Sequence, residues 1–158
     1  MYNNLSGLRM PEPDPYDLKR FVKAQNPMFE GVLAELRAGS KRTHWMWFIF
    51  PQINGLGLSA TTLHYSIKSP AEARAYLAHP ILGPRLQECA EILLGLEARS
   101  AADIFGAIDA MKLRSSMTLF AHVAGPNEIF ARVLGKYFAG KPDQNTLQLL
   151  GITDSAVR

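Results

Sequence analysis

The sequence predicts an all-α fold, on three observations. Helix-opening pairs recur at Asp14-Pro15, Asn26-Pro27, Ser69-Pro70 and His79-Pro80. Apolar residues follow them at spacings of three and four, and no stretch alternates with period two over more than a few residues. Together these describe a compact single-domain bundle of about seven to nine helices.

Asp14 and Pro15 supply an N-cap and a first-turn proline for a helix to about Gln25, with Leu18, Phe21, Val22 and Gln25 inward. Asn26-Pro27 repeats the device for a helix that buries Met28, Val32, Leu33 and Leu36 and stops at Gly39, a left-handed terminator. A short aromatic helix holding both tryptophans ends at Pro51, and Asn54-Gly55 with Gly57 makes a turn or, less simply, a loop against a ligand. Ser69 and Glu72 read as a capping box. A longer helix from His79-Pro80 to about Glu97 follows, then a turn of helix from Ser100 to Phe105 and a helix from about Asp109 to Val123. After Gly125-Pro126 come a helix with Ile129, Phe130, Val133, Leu134 and Tyr137 on one face and a last piece from Asp143 to Leu150.

With 158 residues the chain suits one domain, residues 14–158, able to bury about 70% of its unfolded surface; residues 1–13 read as a flexible tail. It is 47% hydrophobic and 20% charged, as expected of a soluble protein, and no apolar run reaches the ~18 residues of a membrane span. The first ten residues lack the pattern of a secretion signal, which makes the cytoplasm the expected location. The single cysteine, Cys89, shares a face with Leu82, Leu86, Leu93 and Leu96 and reads as a buried, inert thiol. The four histidines have no metal-ligand spacing, so neither a metal nor another cofactor is expected. A net charge of +3 with a pI of 9.1 is mildly basic but scattered, which suits a small anionic ligand better than nucleic acid.

Chemistry, if present, concentrates in two segments. The stretch Lys41 to Gln52, Lys-Arg-Thr-His-Trp-Met-Trp-Phe-Ile-Phe-Pro-Gln, is either the hub of a core or the wall of a pocket. His44 stands at its entrance, and Trp45, Trp47 and Gln52 are its other candidates for ligand contact. On the helix near 111–123, Lys112 and Ser116 fall on the apolar side, so Lys112 either snorkels outward or enters a polar cavity lined by Ser116 and Ser115. Gln25 poses the same alternative, a structural hydrogen bonder or a ligand contact. Asp17, Asp103 and Asp109, near helix starts, are explained as caps. No serine, histidine and carboxylate can be tied together by spacing, and whether the chain is an enzyme stays open.

The runs at 14–25 and 41–52, with Tyr-Leu-Ala-His-Pro-Ile-Leu-Gly-Pro-Arg-Leu at 76–86 and Lys-Leu-Arg-Ser-Ser-Met-Thr-Leu-Phe at 112–120, resemble the bacterial domain-of-unknown-function family 1810. The likeness spans nearly all of Asp14 to Leu150, in order, and implies a compact all-helical fold. It implies no activity. Members are sometimes labelled calpastatin, but an inhibitor of that name is a long disordered chain, whereas this sequence encodes a core. Thr61-Thr62-Leu63-His64 departs from the family pattern, which removes His64 from any shared role.

The function expected is capture of a small anionic ligand, such as a nucleotide or an ADP-ribose derivative. Lys112 would pair the anion, Ser115 and Ser116 would donate to it, Trp45 or Trp47 would stack on a planar group, and His44 and Gln52 would orient it. The alternatives are a non-catalytic protein-interaction module presenting an apolar groove and, further off, a weak nucleic-acid binder resting on Lys41 and Arg42.

Overall fold

The computed structural model describes residues 13–126 and 128–152, and among these it contains nine helices and no strand beyond one isolated bridge. The expected tail lies almost wholly outside the described residues. Helix α1 spans Lys19–Gln25, α2 Phe29–Arg37, α3 Met46–Ile49, α4 Ala60–Tyr65, α5 Pro70–Ala78, α6 Leu82–Gly95, α7 Ala101–Ala124, α8 Ile129–Phe138 and α9 Gln144–Leu149. The all-helical architecture is the one the sequence predicts.

Helix α7 is the axis. It packs against α5, α8 and α9, and α6 in turn bridges α2, α5 and α8. Ser115 to Phe120 are buried on every side of it, so the polar arc that helical periodicity assigns to Ser115 and Thr118 is enclosed rather than solvated. Each hydroxyl is satisfied by a carbonyl one turn back, Ser115 by Met111 and Thr118 by Arg114, and Thr118 also accepts the amide of Asp143.

Several helix starts differ from expectation for identifiable reasons. Asp14 does cap α1, accepting the amides of Leu18 at 2.8 Å and Lys19 at 3.0 Å, but Asp17 adopts φ 53°, a left-handed turn that delays the helix to Lys19. Ser69 accepts the amide of Glu72 at 3.1 Å, whereas the Glu72 carboxylate does not return to Ser69. It is held by Arg20 at 2.8 Å and by the amide of Lys68 at 2.9 Å, so only half of the predicted capping box forms. The complete one is at α7, where Ser100 and Asp103 bond reciprocally. His79 caps α6, its Nδ1 accepting the amides of Ile81 and Leu82. Gly83 has a separate necessity, since a Cβ there would stand 2.1 Å from the Leu77 carbonyl oxygen.

Between α3 and α5 the chain does more than turn. Asn54 donates to Ile67 and Ile67 to the Gln52 carbonyl, a parallel bridge that encloses α4 in a loop. Cys89 is fully buried with Leu82, Leu86 and Leu93, and that burial, with Glu88 adding, pushes its thiol up to about 12.

Candidate functional site

The site begins where α2 ends. Gly39 takes φ 68°, the Ser40 amide returns to the Glu35 carbonyl, and the chain crosses to α7, where the Lys41 amide donates to the Ile104 carbonyl at 2.8 Å. Glu35 organises the following turn. Its carboxylate accepts from the amides of Arg42 and Thr43, the Thr43 hydroxyl and the Trp45 indole N–H, at 2.7 to 3.1 Å. Burial alone would raise its pKa, but these four donors outweigh it and bring the carboxyl down to about 2.

That anchor separates the two tryptophans. Trp45 is fully buried, its N–H used by Glu35 and its ring packed against Phe50 and Phe105. Trp47, two residues on, is half-buried, and its indole N–H makes no hydrogen bond among the described residues.

Opposite Trp47, α7 breaks. Gly106 has φ 81° and ψ 165° inside the helix, and nothing within 4 Å would obstruct a Cβ, so glycine is needed there for conformation rather than for room. A second helical arm then starts with Ala107, Ile108 and Asp109. The gap holds a cleft of about 480 Å³, with Lys41, His44, Met46 and Trp47 on one wall and Phe105 to Asp109 with Lys112 on the other.

The electrostatic centre of the cleft is Asp109, with Lys41 Nζ 2.8 Å from one oxygen and Lys112 Nζ 3.7 Å from the other. The Lys41 side chain is 7% exposed and lies 5.0 Å from the Trp45 ring; that of Lys112 is 24% exposed and lies 5.0 Å from the Trp47 ring. Two ammonium groups on one carboxylate leave an excess of one positive charge beside an accessible aromatic face. Such a place suits an anion attached to a flat group. Ile108 and Met111, both largely exposed, stand one turn apart on the second arm.

Of the residues singled out in the sequence, His44, Trp47 and Lys112 meet at this cleft. Trp45 lies behind it as core. Ser115 is buried on its own Met111 carbonyl, and Ser116 is fully buried with its Oγ unpartnered, so neither lines a cavity with Lys112. Gln25 is structural: its Nε2 donates to the Phe48 carbonyl at 2.7 Å and to Tyr76 Oη at 3.0 Å, while its Oε1 accepts from Arg85 at 3.3 Å. The Gln52 side chain is half-buried outside the cleft. Asp109, expected to be a helix cap, is instead the counter-ion of Lys41: after the break at Gly106 the helix resumes at Ala107, which leaves Asp109 inside the second arm. Gly106 is the site residue that sequence reasoning missed, and Lys41 and Asp109 were read only in other roles, as a nucleic-acid contact and a helix cap. A glycine within a helical pattern was the signal available.

A second cleft, of about 470 Å³, lies over Arg20, His64, Lys68 and Glu72. Its cations are already occupied: Arg20 donates to the carbonyls of His64, Tyr16, Asp17 and Ser66 and to Glu72, and Lys68 Nζ to Leu63 and Ser66. This cleft is a structural joint between α1, α4 and α5. Among the described residues no group of three or more His, Cys, Asp or Glu is placed to hold a metal ion, and no helix is long and apolar enough to cross a membrane.

An all-helical bundle with a charged cleft at a broken central helix defines the class of protein, and comparison places it further. The chain belongs to the family described as "Protein of unknown function (DUF1810)", whose profile matches residues 15–150. It is similar to the crystal structure of a conserved hypothetical protein, Rv1873, from Mycobacterium tuberculosis, with 52% identity and a TM-score of 0.86, over 89% of this chain and 100% of that one. The search among curated proteins gives no match.

Proposed function

We propose that this protein binds a small anionic ligand, of the class of a nucleotide or an ADP-ribose derivative, in the cleft between the Lys41–Trp47 segment and the second arm of α7. The observation that carries the reading is the sharing of Asp109 by Lys41 and Lys112 beside Trp47. Lys41 holds Asp109 and sets the floor, Lys112 is the cation left to meet the ligand, and His44 offers a further polar contact at the entrance. This assigns binding and no reaction. Ser115, Ser116, Gln25 and Gln52 have no part in it.

A thermal-shift screen against nucleotides, ADP-ribose, NAD and simple phosphates, with Lys112→Ala in parallel, tests the proposal. A ligand at about 100 times its Kd adds about 2.7 kcal/mol, a rise of roughly 5 to 10 °C for a domain of this size, and the rise should vanish in the variant. No shift with any compound would overturn it. The exposed pair Ile108 and Met111 favours a second reading, a protein-interaction surface at the same rim. Loss of a partner on Ile108→Ser with Met111→Ser, together with an unresponsive cleft, would support that alternative.

A further inference from the structure

We infer that Lys112 and Trp47 form a latch that makes the cleft selective for aromatic anions, ligands in which one planar ring carries a nearby anionic group, as in a mononucleotide. The inference rests on the anion-binding reading above and adds what selects the ligand. Its basis is the inequality of the two lysines and of the two tryptophans.

Lys41 is committed. Its ammonium makes the short 2.8 Å contact to Asp109 in a nearly buried position, so releasing it would strand a desolvated charge. Lys112 reaches the same carboxylate only at 3.7 Å, is three times more exposed, and spends the rest of its interaction on the Trp47 ring. Both of its contacts are of the weak, solvent-screened kind. Lys112 is therefore the cation that can swing on its four-carbon stem without cost to the core.

Trp47 is the matching aromatic. Trp45 has its N–H and its ring committed to Glu35, Phe50 and Phe105. Among the described residues Trp47 has no aromatic-ring partner, and the Lys112 ammonium lies 5.0 Å from its centroid. A ring stacking on that face takes the place of the ammonium, which then needs a new anionic partner. A ligand with ring and anion together supplies both replacements in one event. Inorganic phosphate leaves the Trp47 face without a ring, and a nucleoside displaces the cation without pairing it. A cleft of about 480 Å³ is of a size for one ring system with its anionic substituent.

Calorimetric titration with AMP, adenosine and inorganic phosphate against the wild-type chain, Trp47→Leu, Trp47→Phe and Lys112→Gln reads this directly. AMP should bind at least about tenfold more tightly than either fragment, the size expected of one stacked base. Trp47→Leu should lower AMP affinity to that of phosphate, Trp47→Phe should retain most of the preference, and Lys112→Gln should remove it. Thermal unfolding confirms that each variant is folded. If phosphate binds wild-type protein as tightly as AMP, or if AMP affinity is unchanged in Trp47→Leu, the latch is wrong while the anion site stands. If AMP, phosphate and the compounds of the wider screen all fail to bind, the anion site and the latch fall together.

Discussion

Glu72 and Asp109 are both carboxylates with a cation 2.8 Å away, and they do opposite things with it. Around Glu72 every bond is used: one oxygen takes Arg20, the other the Lys68 amide, and the guanidinium spends its remaining N–H groups on four carbonyls. Around Asp109 the partners are two side-chain ammonium groups, one tight and one loose, and the loose one borders a cleft. Charge alone does not distinguish scaffold from site. Saturation does, because a polar group whose bonds are all made inside the protein has nothing left to offer a ligand.

The sharpest way to break the contrast is at its saturated end. Glu72→Ala leaves Arg20, with a side chain only 10% exposed, without its counter-charge, and removing one member of a buried pair costs about 3 to 5 kcal/mol. Urea unfolding should show a loss of that size. A loss below about 1 kcal/mol, the value of an exposed pair, would mean that the knot is no scaffold.

Glu35 is the second saturated carboxylate and gives the comparison a pH axis. Its folded pKa, about 2, lies below the ordinary 4.5, so it contributes stability above about pH 4.5 that is lost as the pH falls toward 2. Glu35→Gln should cost about 2 kcal/mol at neutral pH, the scale of hydrogen bonds to a charged acceptor, and should flatten the acid limb of the stability profile. A wild-type profile already flat between pH 5 and 2 would remove Glu35 as the anchor of Trp45. Ser116 runs the other way. Its hydroxyl is fully buried and unpartnered, so Ser116→Ala should leave thermal stability unchanged or raise it by about 1 kcal/mol, whereas a clear loss would reveal a bond to that oxygen.

The scaffold was more legible in the sequence than the cleft, and the reason is range. The N-cap at Ser69 and the stripe Phe130, Val133, Leu134 are local patterns, and they form as read. Helix α4 was missed although Ser59 caps it on the Thr62 amide, because six residues give too short an apolar period to register. Lys112 conflicts with an apolar face and its own pairing with Asp109 is local, three residues back, but the Lys41 ammonium that shares this carboxylate comes from sixty-eight positions away in the chain. The complete capping box promised at Ser69 failed for a related reason, since Arg20 outcompetes the Ser69 amide for Glu72 across the fold.

The smallest expected effect on stability falls on the residue of greatest functional weight. Lys112 is partly exposed, its ion pair is long and its aromatic contact is at the surface, so Lys112→Ala should change unfolding free energy by less than about 1 kcal/mol. The same substitution should abolish the ligand-induced rise in melting temperature. Lys41→Ala provides the opposing control within the same site, because it leaves Asp109 only the long Lys112 contact and removes a nearly buried stem, and it should cost more stability than Lys112→Ala. Were Lys112→Ala the more destabilising of the two, Lys112 would belong with Arg20 among the structural cations, and the division between saturated scaffold and open cleft would not hold at Asp109.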